Sequence, residues 1–364
     1  MIYFFYVVFF FLILRFTVTL FNFISNPKLT HSPKKFDDLV SILIPARNEE
    51  ENILNLLKSI QKQDYQNYEV IILDDHSEDR TFPIVDEFCK IQPKFKILKS
   101  KALPKGWLGK NFACHQLSQQ AKGNWLLFLD ADEEVKESLI NSALYRMYIG
   151  KLSLLSVFTN QITTTVGEKS VVPLMHFLLL NLLPLRLVKL SKLPSLAAAS
   201  GQFMLFDAKQ YQQFQWHQAV KDKVVEDIEI MKKVKSQALR GEALLANGFI
   251  FCRMYKNYNE CLNGFSKNIL AGFNNSIPAL IIYILIVVLG PVFILAFGNF
   301  QLFYFALTLV IFSRMMISYL SGQNVLMNII YHPVQMLNLF ILAALSIKQS
   351  LSKTVSWKGR IIRS

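Results

Sequence analysis

The stretch "MIYFFYVVFFFLILRFTVTLFNFIS", residues 1–25, is mostly apolar and carries a single charge, Arg15. About 20 such residues suffice for a helix to cross the hydrocarbon core of a bilayer. A chain that begins this way must reconcile a membrane with whatever follows. The run has neither a basic start nor a small-residue cleavage pattern, so it reads as a retained helix rather than a removed signal peptide. Lys28, Lys34 and Lys35 follow it, and positive charge on that flank puts the next domain in the cytoplasm. Arg15 is costly in lipid unless it pairs or reaches the interface.

Apolar runs return near the other end, read as helices over 278–298, 301–320 and 326–347. The third is broken by His332-Pro333, and the apolar stretch after it is only about fourteen residues, short for a span. Lys348, Lys353, Lys358, Arg360 and Arg363 follow. They favour a cytoplasmic tail over 348–364, so the third run is read as re-entrant. A further run, "VVPLMHFLLLNLLPL", is interrupted by Pro173 and Pro184 and flanked by Lys169, Arg186, Lys189 and Lys192. That pattern suits a segment lying in the interface over 171–190. The resulting division is a helix over 1–26, a globular domain over 37–265, membrane helices over 275–347 and the basic tail. Composition agrees with a mixed protein: 52% hydrophobic yet 18% charged. The net charge of +13 suits an anionic membrane surface and a nucleotide diphosphate. No nucleic-acid recognition motif accompanies it, and no nucleic-acid partner is expected. The four cysteines form no CxxC and no zinc-spaced cluster, which fits reduced thiols.

From about 39 to 160 the pattern alternates strands and helices. "LVSILIPA", "YEVIILDD", "FKILKS" and "NWLLFLD" read as strands. Helices are expected over 49–62, 79–90 and 109–121 between them. Such alternation implies an α/β domain with a parallel sheet. In sheets of this kind ligands gather at the carboxyl ends of strands, and here those ends carry polar residues. Pro45, Arg47, Asn48 and Glu49 follow the first strand, where a helix start is a ready anion site or simply a capped helix. Asp74 and Asp75 end the second, placed to accept hydrogen bonds from a ribose or a base. Lys110 stands among glycines before a helix, suited to a diphosphate. Neither GxGxxG nor a Walker pattern occurs. Asp130-Ala131-Asp132 closes the fourth strand. If the strand stays extended the two acids share a face about 7 Å apart, one for the nucleoside and one for a hard divalent cation. Glu133 and Glu134 are expected in solvent.

These pieces, with "SGQFMLFDAKQY", "VVEDIEI", "CRMY" and "WKGR", resemble a family 2 glycosyltransferase of the GT-A (Rossmann-like) fold. The likeness is to the membrane-bound branch that glycosylates lipid-like acceptors such as carotenoid acids and hopanoids. It implies a nucleotide-sugar domain with transmembrane helices at both ends, anchored in the cell membrane with several passes. It also implies an inverting transfer from a nucleotide diphosphate sugar, a UDP-sugar being favoured, to a lipid-like acceptor in the membrane. Pro45, Arg47, Asn48, Glu49, Asp75, Lys110, Asp130 and Arg253 would then serve the donor, and Asp132 would hold Mg²⁺ or Mn²⁺. Gly201, Gln202 and His217 would lie on the acceptor side, and Glu226-Asp227 would supply the base. Between those two, Asp227 shares a helix face with Ile230, Met231 and Val234, whereas Glu226 aligns with Glu229 and Lys233. The apolar side suits a covered site, so Asp227 is the expected base. The chain departs from the family in two places. No Q-x-x-R-W follows, which argues against a processive polymerase, and "FQWH" stands where many relatives carry Gly-Gly before the histidine. Transfer to a polyprenyl phosphate carrier and a non-catalytic membrane scaffold are the competing readings.

Overall fold

The computed structural model describes residues 2–297, 300–352, 355–357 and 360–362. Of the tail's basic residues, Lys353, Lys358 and Arg363 lie outside the described residues. The chain divides into two compact units. One comprises Pro27–Asn160 and Leu185–Cys252; the other comprises Met1–Asn26, Gln161–Pro184 and Arg253–Ser364. The uninterrupted 37–265 domain suggested by the sequence is therefore split, with 161–184 and 253–265 belonging to the unit that holds the long apolar helices.

The first unit is built on strands β1 (Val40–Ala46), β2 (Tyr68–Asp74), β3 (Phe95–Lys99), β4 (Trp125–Leu129), β5 (Glu133–Val135), β6 (Leu154–Phe158), β7 (Asn160–Gln161), β8 (Phe203–Asp207), β9 (Gly241–Leu245) and β10 (Ile250–Cys252). Seven of them form one sheet in the order β3-β2-β1-β4-β8-β6-β9. The strands β3, β2, β1 and β4 are mutually parallel, as the strand–helix alternation predicts. Strand β8 runs antiparallel to both β4 and β6, so the sheet is mixed rather than wholly parallel. Burial on both faces explains the unbroken apolar runs: every residue of β4 is buried, and so is all of β1 except Pro45. The helix Ile53–Gln61 buries Ile53, Leu56, Leu57 and Ile60 on one stripe. Trimming Leu56 to alanine would cost about 2–5 kcal/mol. Gly123 is required for another reason: a Cβ there would lie 2.6 Å from the backbone nitrogen of Ser41. Only glycine lets the chain pass this closely, and its N–H donates to the Ser41 hydroxyl at 2.8 Å.

The second unit contains four stretches long and apolar enough to cross a membrane: Tyr3–Ser25, Ile277–Phe297, Phe300–Ser321 and His332–Ser352. The run read as one helix over 326–347 is two helices, Val325–Ile330 and His332–Ser352. His332-Pro333 opens the second rather than breaking it, because proline is tolerated in a first turn. At 21 residues that helix has the length to cross, contrary to the short stretch expected. Its neighbour, however, is the polar helix Tyr258–Ile269. The Tyr258 hydroxyl donates to Asn338 at 2.7 Å, and Gln349 donates to Ser266 at 3.0 Å, so the two helices run side by side. The 161–184 segment folds as the short helices Val166–Val171 and Leu174–Leu182, each too short to cross. The Asn22 amide ties the second of them to the first helix by donating to the carbonyls of Leu180 and Leu183 at 2.9 and 2.8 Å.

Candidate active site

The parallel half of the sheet brings its polar tips together. In the β1–β2 register Ala46 stands opposite Asp74, so both strands end at one level. The loops that follow clasp each other. Arg47 donates to the backbone carbonyl of Asp75 at 2.7 Å, and the N–H of Asn48 reaches the Ser77 hydroxyl at 3.0 Å. The N–H of Glu49 bonds Thr81, and that of Glu50 bonds Asp79. Burial opposes the charge on Asp79, but hydrogen bonds from Thr81 and the Glu50 N–H hold its carboxyl below the usual range. Asn48 sits at φ 53°, a left-handed position asparagine tolerates. Arg47 and Asp75 are both buried. The clasp thus fixes Asp75 at the end of β2, while Arg47 is committed to holding the loop.

The second group lies at the end of β4, and here the chain departs from expectation. The strand stops at Leu129, and residues 131–132 turn, so Asp130 and Asp132 do not continue an extended strand. Asp130 faces Lys110, whose Nζ lies 2.8 Å from Oδ1 and 3.1 Å from Oδ2. Asp132 faces Cys252 instead, with Oδ2 3.6 Å from the sulfur. Glu133 is not in solvent: it is 2% exposed, and neither carboxylate oxygen has a hydrogen-bond partner. Burial, with Asp132 and Asp130 nearby, pushes its carboxyl well above the usual range. Ligand atoms of Asp132, Glu133 and Cys252 lie within 4.8 Å of one another. Two orphaned buried oxygens beside a second carboxylate and a thiol form a donor set that fits a divalent cation. The thiol makes it softer than an all-oxygen magnesium site. Nothing in the sequence marked Glu133 or Cys252, because β10 meets β5 only through tertiary pairing.

Lys110 also lies 3.3 Å from Oε1 of Glu226. Glu226 is therefore buried against this lysine, not aligned with Lys233 in water as its helix position suggested. It is the first residue of its helix, Glu226–Ser236, and helical side chains lean toward the amino terminus, away from the following turn. Asp227 accepts hydrogen bonds from the backbone N–H of Gly201 at 2.9 Å and from that of Ile228 at 2.8 Å. Burial and the neighbouring Glu226 push its carboxyl up to about 7. Gly201 is wedged into this knot: an added Cβ would sit 3.1 Å from Lys110 Nζ and 3.2 Å from Glu226 Oε1. Gln202 turns inward, accepting from the Thr159 hydroxyl at 2.9 Å.

Two further site residues expected from the sequence are engaged with partners of their own. His217 is 2% exposed, bonded through Nδ1 to the Tyr211 hydroxyl at 2.6 Å and packed on Phe128. Burial lowers its pKa to about 3. It is a neutral core histidine, not one offered to an acceptor. Arg253 belongs to the other unit, where it donates to buried Glu168 at 2.8 Å and to Thr164 at 2.7 Å.

A mixed sheet with clasped loops and an acidic strand end at the tips of its parallel strands, and a helix-borne carboxylate pair, is the GT-A arrangement. A solved mannosyltransferase, PcManGT from Pyrobaculum calidifontis in complex with GDP-Man and Mn²⁺, shares the fold with a TM-score of 0.60. It is 14% identical, covering 94% of this chain and 99% of that one. Residues 41–213 match the glycosyl transferase family 2, so the chain carries a domain of that family. Among similar proteins is the 4,4'-diaponeurosporenoate glycosyltransferase of Staphylococcus haemolyticus, 26% identical over 269 residues. That match covers 69% of this chain and 66% of the relative. A beta-monoglucosyldiacylglycerol synthase of Nostoc sp. is 38% identical over 103 residues, 28% of this chain and 22% of the relative. The chain thus matches just under two thirds of the length of the first relative, and about a fifth of the second.

Proposed function

We propose that this protein transfers a sugar, with inversion, from a nucleotide diphosphate sugar to a lipid-like acceptor in the membrane. The observation that carries the reading is the knot of Lys110, Asp130, Gly201, Glu226 and Asp227. It holds one carboxylate near neutrality beside acids fixed at the strand ends. A base works best with a pKa near the operating pH. Asp227 takes the proton of the acceptor hydroxyl or carboxyl as that oxygen bonds the anomeric carbon. The bond to the diphosphate oxygen breaks, and its electron pair leaves on the nucleotide. Asp75 and Asp130 orient the nucleoside, and Lys110 fixes both Asp130 and Glu226. Asp132, with Glu133 and Cys252 beside it, would hold the divalent cation, which supplies positive charge to the diphosphate. The named relatives act on lipid-like molecules, which supports the acceptor class.

The test uses the full chain in lipid nanodiscs with labelled UDP-glucose or GDP-mannose and a bacterial lipid extract, and mass spectrometry of the organic phase. A lipid gaining one hexose is expected. Neither lipid product nor free sugar from either donor, in protein that melts cooperatively, would defeat the reading.

A further inference from the structure

The edge strand β9 is flanked by cations that outnumber the acid they share. Glu242, its second residue, is 1% exposed. Arg146, from the helix Leu139–Gly150, grips that carboxylate through two nitrogens, Nε at 2.6 Å and Nη2 at 2.5 Å. Arg186 and Lys189 approach the same carboxylate, with Nη1 at 3.6 Å and Nζ at 3.8 Å. Arg240, the residue before β9, is exposed. Burial holds the Lys189 ammonium below its ordinary value; Glu242 opposes this, and Arg146, Arg186 and Arg240 reinforce it. A two-pronged arginine is enough to satisfy one buried carboxylate. Four cations around it leave the patch positive.

Exposed apolar side chains accompany these charges. Ile149 stands three residues after Arg146 and Leu190 four after Arg186, spacings that share a helix face. They are 52% and 72% exposed. Leu193 is 60% exposed, and Lys192 before it is exposed as well. Cations interleaved with aliphatic side chains suit the headgroup boundary of a bilayer, where the chains enter and the charges stay level with the phosphates. A nucleic acid or a free phosphate would leave the leucines in water. The strip is also held in place from behind. Lys235, 4% exposed on the helix Glu226–Ser236, donates to the carbonyls of Val188 and, at 2.6 Å, Ser191. The same edge strand takes up the chain just after the first apolar helix, the N–H of Leu29 donating to the carbonyl of Leu245 at 2.9 Å.

We propose that Arg146, Arg186, Lys189 and Arg240, with Leu190 and Leu193, form a docking surface for a bilayer of acidic phospholipid, whose phosphates accept from these cations. This goes beyond sugar transfer and beyond anchoring by the apolar helices, because it makes the seating of the globular unit depend on the charge of the lipid surface. It narrows the interfacial reading of 171–190 to the residues after 184 and adds Arg146 and Arg240, which are remote in sequence.

The experiment measures hydrogen–deuterium exchange of the full chain in nanodiscs of phosphatidylcholine and in nanodiscs of phosphatidylglycerol. Exchange over residues 186–196 should slow at least about tenfold on the anionic lipid, because each cation near such a surface adds a severalfold preference. High salt should erase the difference. The helix Thr81–Ile91, which precedes β3 at the opposite edge of the sheet, should exchange alike on both lipids. Lys189→Gln combined with Arg240→Gln should remove most of the protection, and Lys189→Arg combined with Arg240→Lys should keep it. Equal exchange of residues 186–196 on the two lipids overturns the proposal, a comparison that needs no variant. So does equal protection on phosphatidylcholine by inorganic phosphate or by an oligonucleotide, which would make the patch a general anion site. Protection that survives Lys189→Gln with Arg240→Gln, in protein melting as the wild type does, overturns it too. No nucleotide sugar enters this readout, so failure here and failure of the transferase reading are separate results.

Discussion

Replacing Asp227 with asparagine tests the site through two opposite signs. Burial and the neighbouring Glu226 raise the carboxyl from 3.8 to about 7. At about 1.36 kcal/mol per unit this bounds the cost of charging it at roughly 4 kcal/mol. The side chain is partly exposed, and water screens part of that cost, so about 1–2 kcal/mol is the expected effect. In the folded protein the proton is held up to about pH 7, whereas the unfolded chain releases it near 4. The stabilisation is thus fully present below about pH 4 and is lost as pH rises through 7. Asp227→Asn removes the charge, so the variant should melt higher than wild type at pH 8.5 and no higher at pH 4. Activity should move the other way. A positioned base contributes about 10²- to 10⁴-fold, so kcat should fall by that order while donor affinity persists. Wild-type kcat/KM should rise through an acid limb near pH 7, and the residual rate of the variant should lack it. Melting of the purified protein from pH 4 to 8.5, and rates with one nucleotide sugar and one lipid acceptor from pH 5.5 to 8.5, give every quantity. Asp227→Asn activity within about threefold of wild type, or a flat wild-type profile, would refute the assignment.

Gly201→Ala should push its Cβ against Lys110 and Glu226, lowering kcat about tenfold with little change in melting, because the colliding ends are flexible; unchanged kinetics would show that the knot is not part of the site. EDTA should abolish activity and Mn²⁺ or Mg²⁺ should restore it, while Asp132→Asn should prevent restoration; full activity in EDTA excludes the metal. Cys252→Ser should weaken Co²⁺ binding and remove any sulfur-to-cobalt absorption band; a band that survives places the ion away from that thiol. Cysteines introduced at positions 35 and 353 should label from the same side, since the helix His332–Ser352 runs beside a polar helix. Labelling from opposite sides would make that helix a true span.

The legible part of this fold is the part made of strands buried on both faces. "SILIPA", "VIILD" and "WLLFLD" announce themselves as unbroken apolar runs ending in polar residues, and β1, β2 and β4 lie where those runs are. The strands β6 and β8 are largely apolar too, whereas β9 carries Glu242. They follow no regular alternation with helices, and the antiparallel setting of β8 leaves no local mark. The acids at strand tips were visible for the same reason as the strands. Their partners were not: Lys110 meets Glu226 across 116 residues of sequence, and Glu133 is buried only because β10 closes over β5. Helical periodicity misplaced Glu226 because a first-turn side chain has no preceding turn to lie on, so a tertiary partner decides its direction. The resemblance at "FQWH" puts His217 on the acceptor side, yet aromatic neighbours from β4 and β8 enclose it.

The antiparallel strand β8 sits between β4 and β6, so it is the bridge between sheet halves made at different times during synthesis. Strands β1 to β4 are complete when residue 129 has been made, and all their pairings are local enough to form early. Nothing beyond β4 can join that sheet until residues 203–207 have left the ribosome. At about 5–20 residues per second, that is a wait of several seconds. During it the edge of β4 is open, and the clasp between the loops after β1 and β2 can form while the Glu226-Asp227 helix does not yet exist. A ribosome stall between residues 130 and 200 would therefore leave a nascent chain with the strand-end acids in place and no Glu226-Asp227 pair, exposed to chaperones along one strand edge.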